Sequence, residues 1–296
     1  MSQTLDALGR ATFHYIPPRR NASPTPREIR WLKHVERHGP QSSAYLHELT
    51  SDTHRDPDTS RRQLQKLRAG ALLHCPVQQR ATERAEFNPY IYDLAPAGRT
   101  ALADRGLAED AMTPTGHWVH RYMTACATSS IDITAARAGV VYIPAHRILE
   151  RAGASLEVPI GRRRVIPDQL FGLDYGGRYR FFCLEADRGT EPGVSAAKRK
   201  SWRTMLESYR RLLGDELYKR HYRLTAPMAL LVVLSSRTRM ERFLEVVADV
   251  MGEAAYLVLA QVITGFDAGF RPGAVADHLF VGEWSRSVGP PIRIST

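Results

Sequence analysis

With 296 residues, 43% of them hydrophobic, the chain is long enough for two globular domains. Its longest apolar stretch, residues 226–234, is strand-sized, which excludes a membrane-spanning helix; Met1–Asp6 does not read as a secretory signal, and Cys75, Cys126 and Cys183 fit neither a zinc spacing nor a disulfide framework, so the expected home is a reducing cytoplasm. The net charge is +10 and is unevenly spread: residues 161–223 hold 15 Lys+Arg against 8 Asp+Glu, residues 1–110 hold 16 against 13, and a polyanion is the simplest partner for such a field.

Residues 1–25, with Pro17-Pro18, Arg19-Arg20 and Pro24, lack periodicity and read as a flexible tail. From there to residue 110 the pattern is compact. Thr25 caps a helix with Pro26 at its first position, Ile29, Leu32 and Val35 recur at helical spacing, and His38-Gly39-Pro40 ends it. A short second helix runs from Ser42 or Ser43 to Leu49. After a polar loop, Asp58 or Thr59 caps a third helix over Ser60–Leu67 that Gly70 stops. Residues 71–76 and 88–94 read as two strands of a hairpin whose polar tip carries Arg80 and Arg84, and a closing helix starts at Ala95. Three helices and a basic-tipped hairpin predict a winged helix-turn-helix over residues 26–110.

The third helix is the candidate reader of double-stranded DNA. Arg61, Arg62, Gln65, Lys66 and Arg68 are polar, while Leu64 and Leu67 suit a core. Thr59 and Ser60 sit at its amino end, where hydroxyls and backbone amides suit phosphate. Arginine takes guanine edges and glutamine takes adenine in the major groove.

Residues 106–120 read as a linker, and 111–296 as a second, α/β domain with a mixed sheet covered by helices. Its predicted elements are a helix from Trp118 through Ile131 carrying Asp132, a helix over Pro144–Arg151, a first strand at 157–160, an acidic hairpin and a basic helix over Ala196–Leu213. A buried strand over Met228–Leu234, a helix over Met240–Met251 and a strand over Tyr256–Val262 follow, with a looser end.

The hairpin carries the chemistry. Val165-Ile166 precedes Pro167-Asp168, Tyr179–Leu184 precedes Glu185-Ala186-Asp187, and Asp174-Tyr175-Gly176-Gly177 between them is a tight-turn signal. Strand, turn and strand bring the carboxylates side by side, which is costly unless a cation or a proton sits between them. Magnesium is held by one or two carboxylates plus water and phosphate oxygens, so a metal-dependent phosphodiester site is the sharp expectation.

This order of elements, with Pro-Asp and Glu-x-Asp, resembles the PD-(D/E)xK nuclease superfamily. More narrowly, the chain from about Arg27 to Trp284 is similar to the replication-relaxation family of plasmids and other mobile elements. The resemblance rests on Pro167-Asp168, residues 184–191 (LEADRGTE), residues 205–209 (MLESY) and the strand ending in Ser235-Ser236-Arg237. It implies a winged helix followed by a nuclease-like domain, and a link to replication, relaxation or transfer of DNA. Carried over, Asp168 and Glu185 hold Mg2+ or Mn2+, and Asp132 supplies an extra acid. Asp187 stands where the superfamily has its catalytic lysine, leaving Lys198, Lys200 and Arg203 as candidate cations.

Two functions follow. One is a metal-dependent DNA nicking nuclease of a mobile element. The other is a non-catalytic DNA-binding regulator or replication accessory protein, free of cofactors, that keeps the nuclease-like fold as a DNA-gripping or homodimerisation platform.

Overall fold

The structure is a computed structural model and describes residues 22–53, 55–81, 89–109, 117–189, 202–266 and 270–296. Arg84, Lys198 and Lys200 lie outside the described residues, as does the side chain of Arg80. The chain divides into two compact units, Met1–Ser129 with Gly269–Val275, and Ser130–Ala268 with Ala276–Thr296.

In the first unit, α1 (Pro26–His38) starts on a capping box. Thr25 accepts from the Glu28 backbone, and the Glu28 carboxylate accepts from the Thr25 N–H at 2.7 Å. Such reciprocal satisfaction of orphan amides stabilises a helix start by about 1 kcal/mol. Gly39, at φ +95°, ends the helix. Next come β1 (Gln41–Ser42), α2 (Ser43–Leu49), α3 (Pro57–Ala69), β2 (Leu73–His74), β3 (Ile91–Leu94) and α4 (Pro96–Ala103). The strands make an antiparallel sheet in the order β1-β3-β2. Trp31, Leu32, Leu46, Leu64, Leu67 and Leu94 meet in its core.

Helix α3 starts earlier than its sequence suggests. Asp56, not Asp58 or Thr59, is the cap, accepting from Asp58 N at 3.0 Å, with Pro57 at the first position. Proline lacks the amide that a first helical position would leave unpaired, so the start moves to it.

The sequence pattern separates the two domains after residue 110, whereas the packing carries the first unit to residue 129, inside α5 (Trp118–Arg137). The opening turns of α5 belong with α1 and β1: His38 Nδ1 lies 2.9 Å from Thr128 Oγ1, and Gln41 donates to the carbonyl of Ala125. These bonds join polar groups far apart in sequence, which a pattern of hydrophobicity does not register.

The second unit is built on five strands, β4 (Val141–Pro144), β7 (Gln169–Asp174), β8 (Tyr179–Asp187), β9 (Met228–Leu234) and β10 (Val258–Val262). They form a mixed sheet in the order β10-β9-β8-β7-β4. β8, β9 and β10 run parallel; β7 is antiparallel to β8, and β4 to β7. β4 is absent from the sequence-based expectation because four residues ending in Pro144 carry too little alternation; as an edge strand it tolerates that proline. Helix α6 (Ala145–Ala152) follows it.

The run ending at Val165 is a correction of the expected hairpin. Val165 closes β6 (Arg163–Val165), which pairs with β5 (Val158–Ile160) in a separate ribbon. Asp168 therefore precedes β7, whose residues 169–174 carry no strand signal that the sequence pattern singles out. Helices α7 (Trp202–Tyr209) and α9 (Arg237–Met251) pack on the sheet through Leu206, Tyr209, Phe243 and Val247, over Leu230 and Val232. α8 (Leu217–His221), α10 (His278–Val281), β11 (Glu283–Trp284) and β12 (Ile292–Arg293) complete the unit.

Candidate functional site

Sheet topology assembles the acids. In the β7–β8 register Gln169 faces Leu184, so one step further Asp168 stands beside Glu185. Because β7 is antiparallel to β8, the start of one strand and the end of the other share an edge. Asp168 Oδ2 accepts the Ala186 N–H at 2.9 Å, locking the register at that edge.

Glu185 is 8% exposed, and its Oε1 accepts the Tyr209 hydroxyl at 2.7 Å. Tyr209 is fully buried, and burial, the charge of Glu185 and the more distant charge of Asp168 hold its hydroxyl protonated far beyond the ordinary range. It is therefore a permanent donor to Glu185.

Asp187 is occupied differently. Its two oxygens sit 2.8 and 2.9 Å from Arg239 Nη2, Oδ2 accepts Trp202 Nε1 at 2.5 Å, and Oδ1 accepts Gly189 N at 2.8 Å. The Arg239 guanidinium also lies over the Trp202 ring, 5.1 Å from its centroid. This requires glycine at 189: φ is +68°, and a Cβ there would lie 2.4 Å from Arg239 Cζ. The loops after the parallel strands are tied together here as well. Ser235 Oγ donates to the Arg188 carbonyl at 2.8 Å, and Arg188 Nε donates to the Phe266 carbonyl at 3.1 Å.

The expected acids thus part company. Asp168 and Glu185 adjoin each other, while Asp187 is neutralised by a cation and two N–H donors, which suits a structural residue. Among the described residues, no three of Asp132, Asp168, Glu185 and Asp187 bring ligand atoms within 4.8 Å of one another. Asp132 lies on α5 and is buried. The donor set that fits a hard divalent ion is the pair Asp168 and Glu185.

By spacing alone, Tyr209 and Trp202 read as core, and Arg239 reads equally as phosphate clamp or sheet cap. Tyr209 and Trp202 do pack in the core and also bond to the acids, Tyr209 to Glu185 and Trp202 to Asp187, and Arg239 reaches Asp187 too. Trp202 and Tyr209 are seven residues apart on α7, two turns, so both polar tips reach the same strand end.

On α3 the expected DNA-facing side chains also separate. Arg61, Arg62 and Gln65 are exposed; Arg61 pairs with Asp58 at 2.6 Å, and Arg62 donates to Thr59 Oγ1 at 3.3 Å. Ser60 is 1% exposed: its hydroxyl accepts from Arg27 at 2.8 Å and lies 2.9 Å from His47 Nδ1, so it faces inward and is no phosphate ligand. Lys66 is 3.1 Å from the buried carboxylate of Glu28. Arg68 is half-buried near the end of the helix.

Fold and site define a two-unit α/β protein with two adjoining carboxylates at the edge of a mixed sheet. The chain belongs to the replication-relaxation family, whose model matches residues 32–226. Membership points to a role in replication or relaxation of a plasmid or mobile element, and to interaction with DNA. No curated protein and no solved structure matches the chain. Among the described residues no helix is long and apolar enough to cross a membrane.

Proposed function

We propose that this is a double-stranded DNA-binding protein of a mobile element, whose first unit is a winged helix. The observation that supports it most is the order α1-β1-α2-α3-β2-β3, with Arg61, Arg62 and Gln65 exposed on α3. That is the arrangement in which a recognition helix enters the major groove. Thr59, Lys66, Arg68, Arg80 and Arg84 are supporting phosphate ligands in this reading. Fluorescence anisotropy with a labelled duplex tests it. R61A/R62A should weaken binding and lower the log–log salt slope by about 0.9 for each phosphate ion pair removed. An unaltered affinity and slope would remove α3 as the reader.

A second reading is favoured by one observation, the Asp168–Glu185 pair: the second unit is nuclease-like and nicks DNA with Mg2+ or Mn2+. Asp168 and Glu185 would hold the metal, which would polarise a phosphodiester and supply an activated water. Asp187 is no substitute for the missing lysine, since its charge is opposite and Arg239 already binds it. In this reading the cation comes from elsewhere, Lys198 and Lys200 being the nearest lysines in sequence. Incubation of supercoiled plasmid with Mg2+ or Mn2+ decides it: nicking by the wild type that D168A and E185A abolish supports it. Equal nicking in all three, or none in the wild type, leaves the non-catalytic DNA-binding role.

A further inference from the structure

We propose that an open cleft of about 480 Å3 on the second unit, lined by Arg162, Arg163, Arg203, Arg210 and Arg211, grips the phosphodiester backbone of DNA. The inference rests on the DNA-binding reading above and assigns a second binding surface, separate from α3.

Two acids share the cleft with the five arginines. Glu207 pairs with Arg163 at 2.9 Å, and Asp249 pairs with Arg203. Among the described residues, Arg162, Arg210 and Arg211 have no carboxylate partner. Arg210 donates only a long bond of 3.5 Å to the Val250 carbonyl. A cluster held together for stability alone would match its cations with acids. Here three exposed guanidiniums are left open to an incoming anion. Guanidinium is the group whose planar fork matches phosphate oxygens.

The backbone shapes the cleft for this purpose. Gly161, in the turn between β5 and β6, has φ +63°, and a Cβ there would lie 3.0 Å from Arg211 Nη1. The missing side chain leaves room for the guanidinium over the turn. All five arginines are exposed, so the ligand comes from outside and need not fit an enclosed cavity. That favours a polymer strand over a small molecule swallowed whole.

Helix α7 connects the cleft with the acids. Trp202 and Tyr209 on one face touch Asp187 and Glu185. Arg203 and Glu207, four residues apart on the same helix, line the cleft, and Arg210 follows directly after its last residue.

The test uses the full chain and a short labelled duplex, with the matching single strand and ATP as further probes, over a series of salt concentrations. The triple variant R162A/R210A/R211A should bind duplex about tenfold more weakly, with a slope lower by about 0.9 for each phosphate ion pair removed. R162E/R211E, which keeps the Arg210 bond to Val250, should weaken it further. Circular dichroism checks that each variant is folded. Loss of binding in these variants, additive with R61A/R62A, supports the cleft. Wild-type affinity and slope in both cleft variants, while R61A/R62A still weakens binding, overturns it and leaves the α3 reading standing. Tight binding of ATP that the triple variant loses, with DNA affinity unchanged, also overturns it, in favour of a free-nucleotide site. A wild type that binds no DNA at all removes both readings.

Discussion

Asp187 and Arg239 are fixed to one another from different elements, the end of β8 and the first turn of α9, with both carboxylate oxygens within 2.9 Å of one guanidinium nitrogen. The pair is partly exposed, 21% and 33%, so solvent tempers its strength, but Trp202 and Gly189 hold the same carboxylate. D187A strands Arg239 and the Trp202 N–H together and should cost about 2 kcal/mol. D187N, which keeps the acceptor oxygen, should cost less. A double-mutant cycle with R239A, read by urea denaturation, should give a coupling of about 1 kcal/mol. Additive single-variant effects would mean the ion pair contributes nothing.

Tyr209 offers a second stability measurement. Y209F keeps the ring that packs among Leu206, Leu230 and Phe243 but removes the donor to Glu185. It should destabilise the unit by about 1–2 kcal/mol, because a buried carboxylate oxygen loses its hydrogen bond. E185Q, which keeps an acceptor in place, should be milder. Equal stability of Y209F and the wild type in denaturant would show that the 2.7 Å bond stabilises nothing.

Arg27 separates structural from DNA-facing arginines. It is 6% exposed and donates to Thr50 Oγ1 at 2.9 Å, Ser60 Oγ at 2.8 Å and Gln63 Oε1 at 3.2 Å, pinning α1 against α3 and the end of α2. R27A should cost about 2–3 kcal/mol and lower the melting temperature, since three acceptors each lose a donor. R61A, on the exposed side of the same helix α3, should change stability by no more than about 0.5 kcal/mol. Thermal melts that ranked the two variants the other way would contradict this division.

The cysteines set an alkaline limit. Burial pushes the Cys75 thiol from its ordinary 9.0 up to about 11, and Cys126 up to about 12. Cys183 is raised by burial and by the neighbouring charge of Glu185. An unfolded chain releases these protons near pH 9.0, while the folded chain retains them to about 11 or 12. The stability linked to them is therefore complete below pH 9.0 and declines as pH rises through the folded values. Urea midpoints measured from pH 8 upward should fall, and Cys126 and Cys183 should resist thiol reagents until the chain is denatured. Rapid native labelling of either would refute the burial argument.

Much of the fold is legible in the sequence where local signals are strong. Thr25-Pro26 with Glu28, the Gly39 stop and Gly70 are local devices, and the bounds of α1 and the stop of α3 lie where the pattern puts them; the turn at 174–177 is local too, but the strand that enters it is β7 and not the Val165 run. The buried strand Met228–Leu234 needs only its apolar run. What the pattern misses depends on partners far away in sequence. Val165 reads as the strand before Asp168 but pairs with Val158, and β4 is recognisable as a strand only beside β7.

The site shows the same division. The tight turn at 174–177 points to Asp168 and Glu185 lying near one edge, but the strand that brings Asp168 there is β7, not the expected Val165 run. That Asp187 belongs to Arg239, 52 residues on, is not readable, because nothing in the spacing of LEADRG announces a partner beyond the next parallel strand. Ser60 illustrates the reverse error: a hydroxyl near a helix start suits phosphate, but helical geometry turns it toward Arg27.

The shared direction of β8, β9 and β10 carries a consequence for how the molecule loosens. All three finish at one rim, and the segments leaving that rim, at Arg188, Ser235 and Phe266, are stitched to one another by side-chain-to-carbonyl bonds on top of the backbone bond from Ser235 N–H to the Asp187 carbonyl. Losing one side-chain stitch therefore loosens the rim while the ladder beneath it stays paired.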